Sequence, residues 1–382
     1  MSDLWHYLKD ASSAGRPILL YGMGNGADKI ITVCESYGIP VADCFASDGF
    51  VRGHSFHGRV VLSFSEACAT YGKDNMIVLI AFASSRPEVL ALMERVAATC
   101  ETYIPDVPVC GTDLFCRAFA DAHREEINAA RALLADEESR RVFDGILDYK
   151  LTGRMDVLRA TESSPEEAYR HILRAERFET AADLGAYNGD SIRDLRAYAP
   201  RLRTVVAMEP DRRNHRKLTE YAARLTEEGE PLTIHCLQAG AWREDATLTF
   251  HGSGNRNAGL TDKPTAGQGQ ILPSTADNPY FGKTTEVPVR ALDNVISSCL
   301  GAGERLDYVK YDVEGAEREA LLGSREVIRR DAPALLVSAY HRNGDLFELP
   351  LLVHELNPAY RLYLRRMAGV PAWDINLYAV AD

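Results

Sequence analysis

A glycine turn between a predicted strand and a predicted helix constrains the fold of this chain more than any other feature. Residues 180–195 read TAADLGAYNGDSIRDL, in which a short apolar run leads into Gly185 and Gly189 and a helix-like segment follows. Glycines let the backbone of such a turn approach a ligand closely, and the first amides of the next helix point toward it. The segment therefore predicts the strand–turn–helix unit of an α/β fold, with a nucleotide-like ligand at the turn.

The acid before the turn narrows the class of ligand. Asp183 lies at the end of the predicted strand, where a carboxylate would repel the pyrophosphate of a dinucleotide. S-adenosylmethionine has no phosphate, and its sulfonium and ammonium groups both favour a nearby carboxylate. The sequence thus favours this donor, and the predicted binding turn comprises Asp183, Gly185, Ala186, Tyr187, Asn188, Gly189, Asp190 and Ser191. Capping of the helix is the alternative role for Asp183 and Asp190.

The next two predicted strands add candidates for the nucleoside end of the donor. VVAMEP ends with Glu209, and an acid at this position can accept hydrogen bonds from both ribose hydroxyls. This feature alone would fit NAD equally well. Gln238 and Ala239 follow the strand-like stretch LTIHCLQ and complete the predicted donor site.

The chain of 382 residues is longer than one hydrophobic core usually covers. Strand and helix signals alternate at both ends of the chain, which favours parallel sheets. We predict a small Rossmann-like α/β domain at 1–118, a helical connector at 119–175 and a larger α/β domain at 176–382. Near the C-terminus, strand-like stretches at 360–366 and 373–380 are joined by a short turn-prone segment. These two stretches predict antiparallel neighbours added to the parallel sheet.

The first domain carries a weaker nucleotide signal. LLYGMGNGADK places Gly22, Gly24 and Ala27 in the spacing G-x-G-x-x-A, and Asp48 ends the next predicted strand. The functional interpretation is an NAD-dependent oxidoreductase, or a protein that binds a nucleotide sugar here. The alternative, which we favour, is a structural domain or one that forms a homodimer. A non-catalytic binding protein is a third interpretation of the whole chain.

Four segments resemble the FkbM-type S-adenosylmethionine-dependent methyltransferases. They are AADLGAYNGDS, VVAMEPD, VKYDVEGAERE and the terminal WDINLYAV, and the connector phrase LLADEESRRVFDGILDYKLTG is similar as well. The resemblance covers about residues 120–382, and DVEGAE is its most specific element. It implies a class I methyltransferase fold, whose seven-stranded, mostly parallel sheet has an antiparallel terminal strand. It also implies O-methylation of a sugar, a glycan precursor or a natural-product hydroxyl.

The carboxyl ends of the predicted strands also carry candidate catalytic groups. Open α/β sheets bind ligands beyond these ends, which places Asp312 and His341 on the same rim as the donor residues. Both are candidate bases for the acceptor hydroxyl, and His341 would titrate near 6.5 if unperturbed. Asp312 has a second interpretation, in which it contacts the donor's methionine end, and His341 a second one as a loop residue. Together with Glu314 they also suit a divalent metal, but we predict none, because the ligands are few and Glu314 fits the acidic start of a helix.

Composition restricts the partners. The net charge of −12 without long basic runs argues against nucleic acid and anionic membranes. The longest apolar runs have strand length, the N-terminus has no signal pattern, and none of the eight cysteines forms a CxxC pair. We therefore expect a cytoplasmic enzyme with reduced thiols and a small-molecule or glycan acceptor.

One long segment, residues 252–285, interrupts the alternation of strands and helices. It is rich in glycine, proline, asparagine and threonine. Loops of this length inside a compact domain are usually functional or disordered. We predict a lid or an acceptor-recognition loop, in which the polar candidates are Asn255, Arg256, Asn257 and Tyr280; a disordered surface insertion is the alternative.

Overall fold

The computed structural model of the protein describes residues 3–51, 53, 55–111, 113–251, 259–261, 284–301 and 303–381. Most of the predicted lid, with its candidates Asn255, Arg256, Asn257 and Tyr280, lies outside the described residues.

The N-terminal part of the chain folds around a five-stranded parallel sheet in the order β5-β2-β1-β6-β7. Its central strands are runs of buried branched and aromatic residues, as expected for strands covered on both faces. The strands are β1 Ile18–Tyr21, β2 Val41–Ala46, β3 Ser55–Phe56, β4 Arg59–Val60, β5 Leu62–Ser63, β6 Ile77–Ile80 and β7 Glu101–Tyr103, of which β3 and β4 form a separate hairpin. The helices are α1 Leu4–Ser13, α2 Asn25–Tyr37, α3 Phe64–Tyr71 and α4 Pro87–Thr99. The predicted Rossmann-like sheet is confirmed.

Helices follow the first sheet, as the alanine-, glutamate- and arginine-rich composition predicts. They are α5 Arg117–Ala122, α6 Arg124–Leu133, α7 Glu137–Thr152, α8 Met155–Arg159 and α9 Pro165–Glu167, with a π-helical turn at Ala168–Ile172 and a 3₁₀ turn at Ala175–Arg177. The Asp136 side chain caps α7 by accepting from the Ser139 amide, and Gly153 ends this helix in the left-handed conformation.

The C-terminal part folds around a seven-stranded sheet in the order β10-β9-β8-β15-β16-β18-β17. Its strands are β8 Thr180–Leu184, β9 Thr204–Met208, β10 Thr233–Leu237, β15 Tyr308–Tyr311, β16 Ala334–Ser338, β17 Arg361–Arg366 and β18 Ile375–Val380. Only β18 runs antiparallel to its neighbours, and it inserts between β16 and β17. The predicted class I methyltransferase sheet with an antiparallel terminal strand is confirmed.

Further elements surround this sheet. A small four-stranded sheet consists of β11 Gly240–Ala241, β12 Ala246–His251, β13 Gly259–Thr261 and β14 Thr284–Arg290. The helices are α10 Asp190–Arg196, α11 Arg212–Glu227, α12 Leu292–Cys299, α13 Glu317–Leu322, α14 Arg325–Asp331 and α15 Asp345–Leu356. No helix in the described part of the chain is long and apolar enough to cross a membrane.

The two sheets and the helices between them share a hydrophobic core. One cluster of buried side chains includes residues of β6, α7, β15 and β17. The buried ammonium of Lys150 adds a polar link, since it lies 2.9 Å from Asp106 Oδ2 and donates to Asn343 Oδ1 at 3.1 Å. The first domain is therefore packed against the methyltransferase sheet rather than tethered to it.

A buried arginine fastens the connector to the second sheet. Arg365 on β17 is 2 % exposed, and its guanidinium donates to the carboxylates of Asp136 and Glu167 and to the Ser139 hydroxyl. Burial raises the pKa of Asp136, but the hydrogen bonds from Arg365 and Ser139 outweigh it and hold this pKa below its usual value. The connector is thus held by charge as well as by apolar contact.

We expect Arg365→Leu to lower the free energy of unfolding by about 3–5 kcal/mol, because the substitution strands two carboxylates without their cation. Urea unfolding followed by far-UV circular dichroism measures the change. Arg361→Leu, at an exposed position of the same strand, should stay within about 0.5 kcal/mol of the wild type. Equal stability of the two variants would contradict the role given to Arg365.

Candidate active site

A cavity of about 380 Å³ lies at the carboxyl edge of the second sheet, where the strand order reverses between the parallel strands β8 and β15. Ligands of open α/β sheets bind at such a switch point. Seven of the predicted site residues line this cavity: Gly185, Tyr187, Asp190, Ser191, Glu209, Asp312 and His341. A second cavity of about 370 Å³ lies at the amino edge of the same sheet, opposite the predicted residues, so we assign the candidate site to the first.

The glycine turn needs both glycines for steric reasons. Gly185 has a φ of +88°, and a Cβ at this position would collide with the carbonyl oxygen of Asp312 on the neighbouring strand. Gly189 has a φ of +82°, and a Cβ there would lie 2.7 Å from the ring of Tyr221. Tyr187 between them also has a positive φ, of 47°. The turn therefore packs closely against the end of β15 and against α11. The amides of Gly185 and Ala186 donate to the Met208 carbonyl, so the backbone of the turn is held by β9.

Asp183 lies behind the cavity rather than on its wall. Its Oδ2 accepts from the Ser191 hydroxyl at 2.6 Å, and its Oδ1 lies 3.9 Å from the Lys310 ammonium. Burial raises the pKa of Asp183, and the charge of Lys310 opposes this shift in part. Asp183 thus fixes the start of α10 through Ser191 and places a buried carboxyl beneath the turn.

Glu209 is buried and already organises the nucleoside end of the cavity. Its two carboxylate oxygens accept from the backbone amides of Tyr187 at 2.9 Å and Asp211 at 2.8 Å. Burial raises the pKa of Glu209 to about 8, although both amides act in the opposite direction. A carboxylate can accept about four hydrogen bonds, so both oxygens keep capacity for ligand hydroxyls.

The remaining predicted donor residues do not line the cavity. Ala186 and Ala239 are buried, and Gln238 is exposed just beyond the end of β10. The side-chain oxygen of Asn188 accepts from Arg193 at 3.3 Å on the outer side of the turn. Gly189 is buried and does not line the cavity either. For these five residues a role in donor binding stays a prediction.

A lysine that the sequence reading overlooked connects the donor side to the catalytic side. Lys310 is the cross-strand neighbour of Asp183, and its ammonium donates to Asp312 Oδ2 at 2.9 Å. Burial would raise the pKa of Asp312, but the charges of Lys310 and His341 lower it to about 2. Asp312 is therefore a permanent anion. A lysine inside the otherwise apolar strand YVKY was the available signal.

His341 is far from the unperturbed case, in which it would titrate near 6.5. Its imidazole is 1 % exposed, with Nδ1 2.9 Å from Glu317 Oε1 and Nε2 3.4 Å from Glu314 Oε2, although neither contact has the angle of a hydrogen bond. Burial would lower the pKa of His341, but the carboxylates of Glu317, Glu314 and Asp312 raise it to about 10. The raised pKa favours the protonated imidazole at neutral pH, and the role of His341 as a base stays a prediction.

Glu314 is a further candidate for the base. It lines the cavity between Asp312 and His341, with a quarter of its side chain exposed and a φ of +53°. Burial raises the pKa of Glu314 to about 7, and the charge of His341 opposes the shift. A carboxylate that titrates near neutral pH suits general base catalysis. The sequence offers a helix-start role for both Glu314 and Glu317 and favours it for Glu317, which indeed accepts from the amides of Val313 and Gly315.

Three of these side chains also have the spacing of a cation site. Single ligand atoms of Asp312, Glu317 and His341 lie within 4.8 Å of one another. The set contains Glu317 where the sequence reading considered Glu314. Lys310 donates to Asp312 and backbone amides donate to Glu317 Oε1, whereas Glu317 Oε2 and both ring nitrogens of His341 have no hydrogen-bond partner among the described residues.

The sheet order and the glycine turn at its switch point define a class I methyltransferase. Comparison with known proteins makes this specific: residues 183–368 match the model described as the methyltransferase FkbM domain. The chain therefore contains an FkbM methyltransferase domain and is an enzyme of this class.

One solved structure shares the fold along nearly the whole chain. The structure of methyltransferase FkbM from Methylobacillus flagellatus KT is 19 % identical, covers 99 % of this chain and 94 % of that one, and has a TM-score of 0.70. An O-methyltransferase from Streptomyces achromogenes, TomG, is 12 % identical over 68 % of this chain and 96 % of that one, with a TM-score of only 0.32. A search of curated protein sequences found no significant match.

We expect the stability of the protein to fall between pH 7.5 and 9.5, and His341→Gln to remove part of this slope. The folded-state pKa of His341 is about 10, above its unfolded value near 6.5. Its stabilising charge is thus fully present below pH 6.5 and is lost as the pH rises toward 10. The difference in slope should approach, but not exceed, about 1.4 kcal/mol per pH unit. Urea titrations across this range test it, and parallel profiles would refute it.

Proposed function

We propose that the protein is an S-adenosylmethionine-dependent O-methyltransferase that acts on a hydroxyl of a sugar, a glycan precursor or a natural product. The charge of the cavity carries this proposal. The acids on its wall outnumber the cations Lys310 and His341 even when Glu209 and Glu314 are protonated; they are Asp190, Asp194, Glu209, Asp312, Glu314 and Asp374. Such a wall favours a sulfonium and an ammonium over a pyrophosphate.

The residues in place suit this donor. The turn from Gly185 to Ser191 would face its methionine part, and Glu209 would accept from its ribose hydroxyls. A volume of about 380 Å³ is within the range of ligand cavities, roughly 300–1,000 Å³. For Gln238 and Ala239, next to this end of the cavity, we retain the proposal of a contact with the base.

The catalytic side would align the acceptor and remove its proton. When bound, S-adenosylmethionine supplies a methyl group, which the acceptor oxygen takes as the carbon–sulfur bond breaks. Glu314 accepts the hydroxyl proton, which makes the oxygen a better nucleophile. Asp312 and His341 remain proposed catalytic residues with revised tasks: Asp312 stays ionised beside Lys310, and the imidazolium of His341 stabilises the negative charge that develops on the acceptor oxygen.

The glycine loop of the first domain offers little to a dinucleotide. A Cβ at Gly22 would lie 2.5 Å from the ring of Phe82, so this side chain already fills the space beside the first glycine. The Asp48 carboxylate accepts from the amide and the hydroxyl of Ser65 at the start of α3 instead of facing the loop. Both glycine and acid have a structural use, which disfavours the NAD-dependent and nucleotide-sugar interpretations. A homodimer through this domain and a cytoplasmic location stay proposals.

We expect Glu209→Gln to weaken the binding of S-adenosylhomocysteine by about 1.5–3 kcal/mol, the usual value of hydrogen bonds to a charged group. Isothermal titration calorimetry at pH 9, where Glu209 is ionised in the wild type, measures it. Glu228→Gln, at an exposed position where α11 ends, is the control and should bind as the wild type does. If the wild type binds NADH but not S-adenosylhomocysteine, the proposed function is wrong.

We expect kcat/KM to rise about tenfold per pH unit below pH 7 and to level off above it, because Glu314 works only when deprotonated. Glu314→Gln should lower kcat by about 10²–10⁴-fold and abolish this dependence. Release of S-adenosylhomocysteine with an acceptor found by screening sugars, nucleotide sugars and polyketides measures both. Glu326→Gln, at an exposed position on α14, serves as control. An unchanged rate and pH profile for Glu314→Gln would remove Glu314 from the reaction.

A further inference from the structure

A third cavity, of about 200 Å³, lies at the carboxyl edge of the first sheet. It is bounded by the glycine loop before α2, the end of β6 and the segment that follows β7. Its wall is mostly apolar, with Met23, Ile30, Phe82, Val107, Pro108 and Pro371 among the lining residues. The first domain therefore presents an apolar recess at the edge where sheets of this kind bind ligands.

This recess and the candidate active site are adjacent. Val109 of the first domain and Trp373 of the methyltransferase domain line both cavities. Trp373 is 37 % exposed, one of the few large apolar side chains left open to solvent among the described residues. An exposed tryptophan between a polar and an apolar cavity provides a flat surface for a ligand that spans the two.

The shared wall is anchored from both sides. The Cys110 amide donates to the His341 carbonyl at 2.9 Å, which attaches the wall to the catalytic rim. The Lys29 ammonium donates to the carbonyls of Pro108 and Val109, each at 2.8 Å. Lys29 is thereby directed at the backbone of the wall, so among the described residues that line the recess no free cation is left for a phosphate, and their surface is mostly apolar.

We propose that the recess binds an apolar group of the methyl acceptor, so that the substrate is a hydroxyl compound with an aromatic or similarly compact apolar part rather than an unsubstituted sugar. The inference rests on the proposed function, since it takes the large cavity to be the site of methyl transfer. A dry apolar cavity of roughly 150 Å³ accommodates a benzene ring. The recess, at about 200 Å³, is large enough for such a ring.

Two probes with the same hydroxyls separate the alternatives. Phenyl β-D-glucopyranoside and methyl β-D-glucopyranoside are titrated by calorimetry into the full-length protein saturated with S-adenosylhomocysteine. We expect the phenyl compound to bind about tenfold more tightly or better, because burial of a ring is worth at least one decade of affinity. Equal affinities, including no binding of either compound, would overturn the proposal.

A cavity-filling variant locates the effect. Ala83 lies on the wall of the recess and is exposed, so Ala83→Trp should fill the recess without disturbing the core. It should remove the preference for the phenyl compound while S-adenosylhomocysteine binds unchanged. Val60→Trp, at a position that is 69 % exposed and lines neither cavity, should keep the preference. If Ala83→Trp keeps the preference for the phenyl compound, the ring binds elsewhere and the proposal is wrong. If the wild type does not bind S-adenosylhomocysteine at all, the proposed function itself is wrong.

Discussion

The close contact between Gly185 and the backbone of Asp312 is the constraint on which the active site depends. Because the first residue after β8 has no side chain, β8 and β15 stay paired up to their carboxyl ends, and the glycine turn lies directly over the neighbouring strand. The same pairing brings Lys310 beside Asp183 and Asp312. Burying the two carboxylates costs less free energy when the Lys310 ammonium lies between them than when it is absent. The close fit at Gly185 therefore supports the arrangement of charges along this edge of the sheet.

Titratable side chains at the carboxyl edge of the second sheet have different charges, although two of them are carboxylic acids. Lys310 holds Asp312 as an anion, whereas burial raises the pKa of Glu314 to about 7. His341, among the carboxylates, becomes a fixed cation. Pairs of titratable groups whose surroundings move their pKa values apart are typical of acid–base sites. The distinction arises from burial and neighbours, which are properties of the fold.

Local pattern predicted the architecture well and the chemistry of single side chains less well. The spacing of apolar residues and the positions of glycine and proline were enough to predict both sheets. Buried strands such as Ile77–Ile80 and the glycine turn carry strong local signals. The antiparallel character of β18 was predicted, but its insertion between β16 and β17 is a long-range choice. The roles of Lys310, Glu314 and His341 depend on distances across three strand ends. Spacing along the chain contains no such distances, and therefore His341 was expected to titrate at its ordinary pKa.

The segment between β7 and α5 connects the two halves of the chain through hydrogen bonds. Its backbone hydrogen-bonds to His341 through Cys110 and to Asn343 through Asp113, so it belongs physically to the second sheet although it follows the first in sequence. A protein engineer who recombines homologous chains at residue 118 would separate this segment from its contacts. A crossover before Ile104 would instead transfer the segment together with the residues it contacts. Domain exchange between such chains should therefore use a boundary before Ile104.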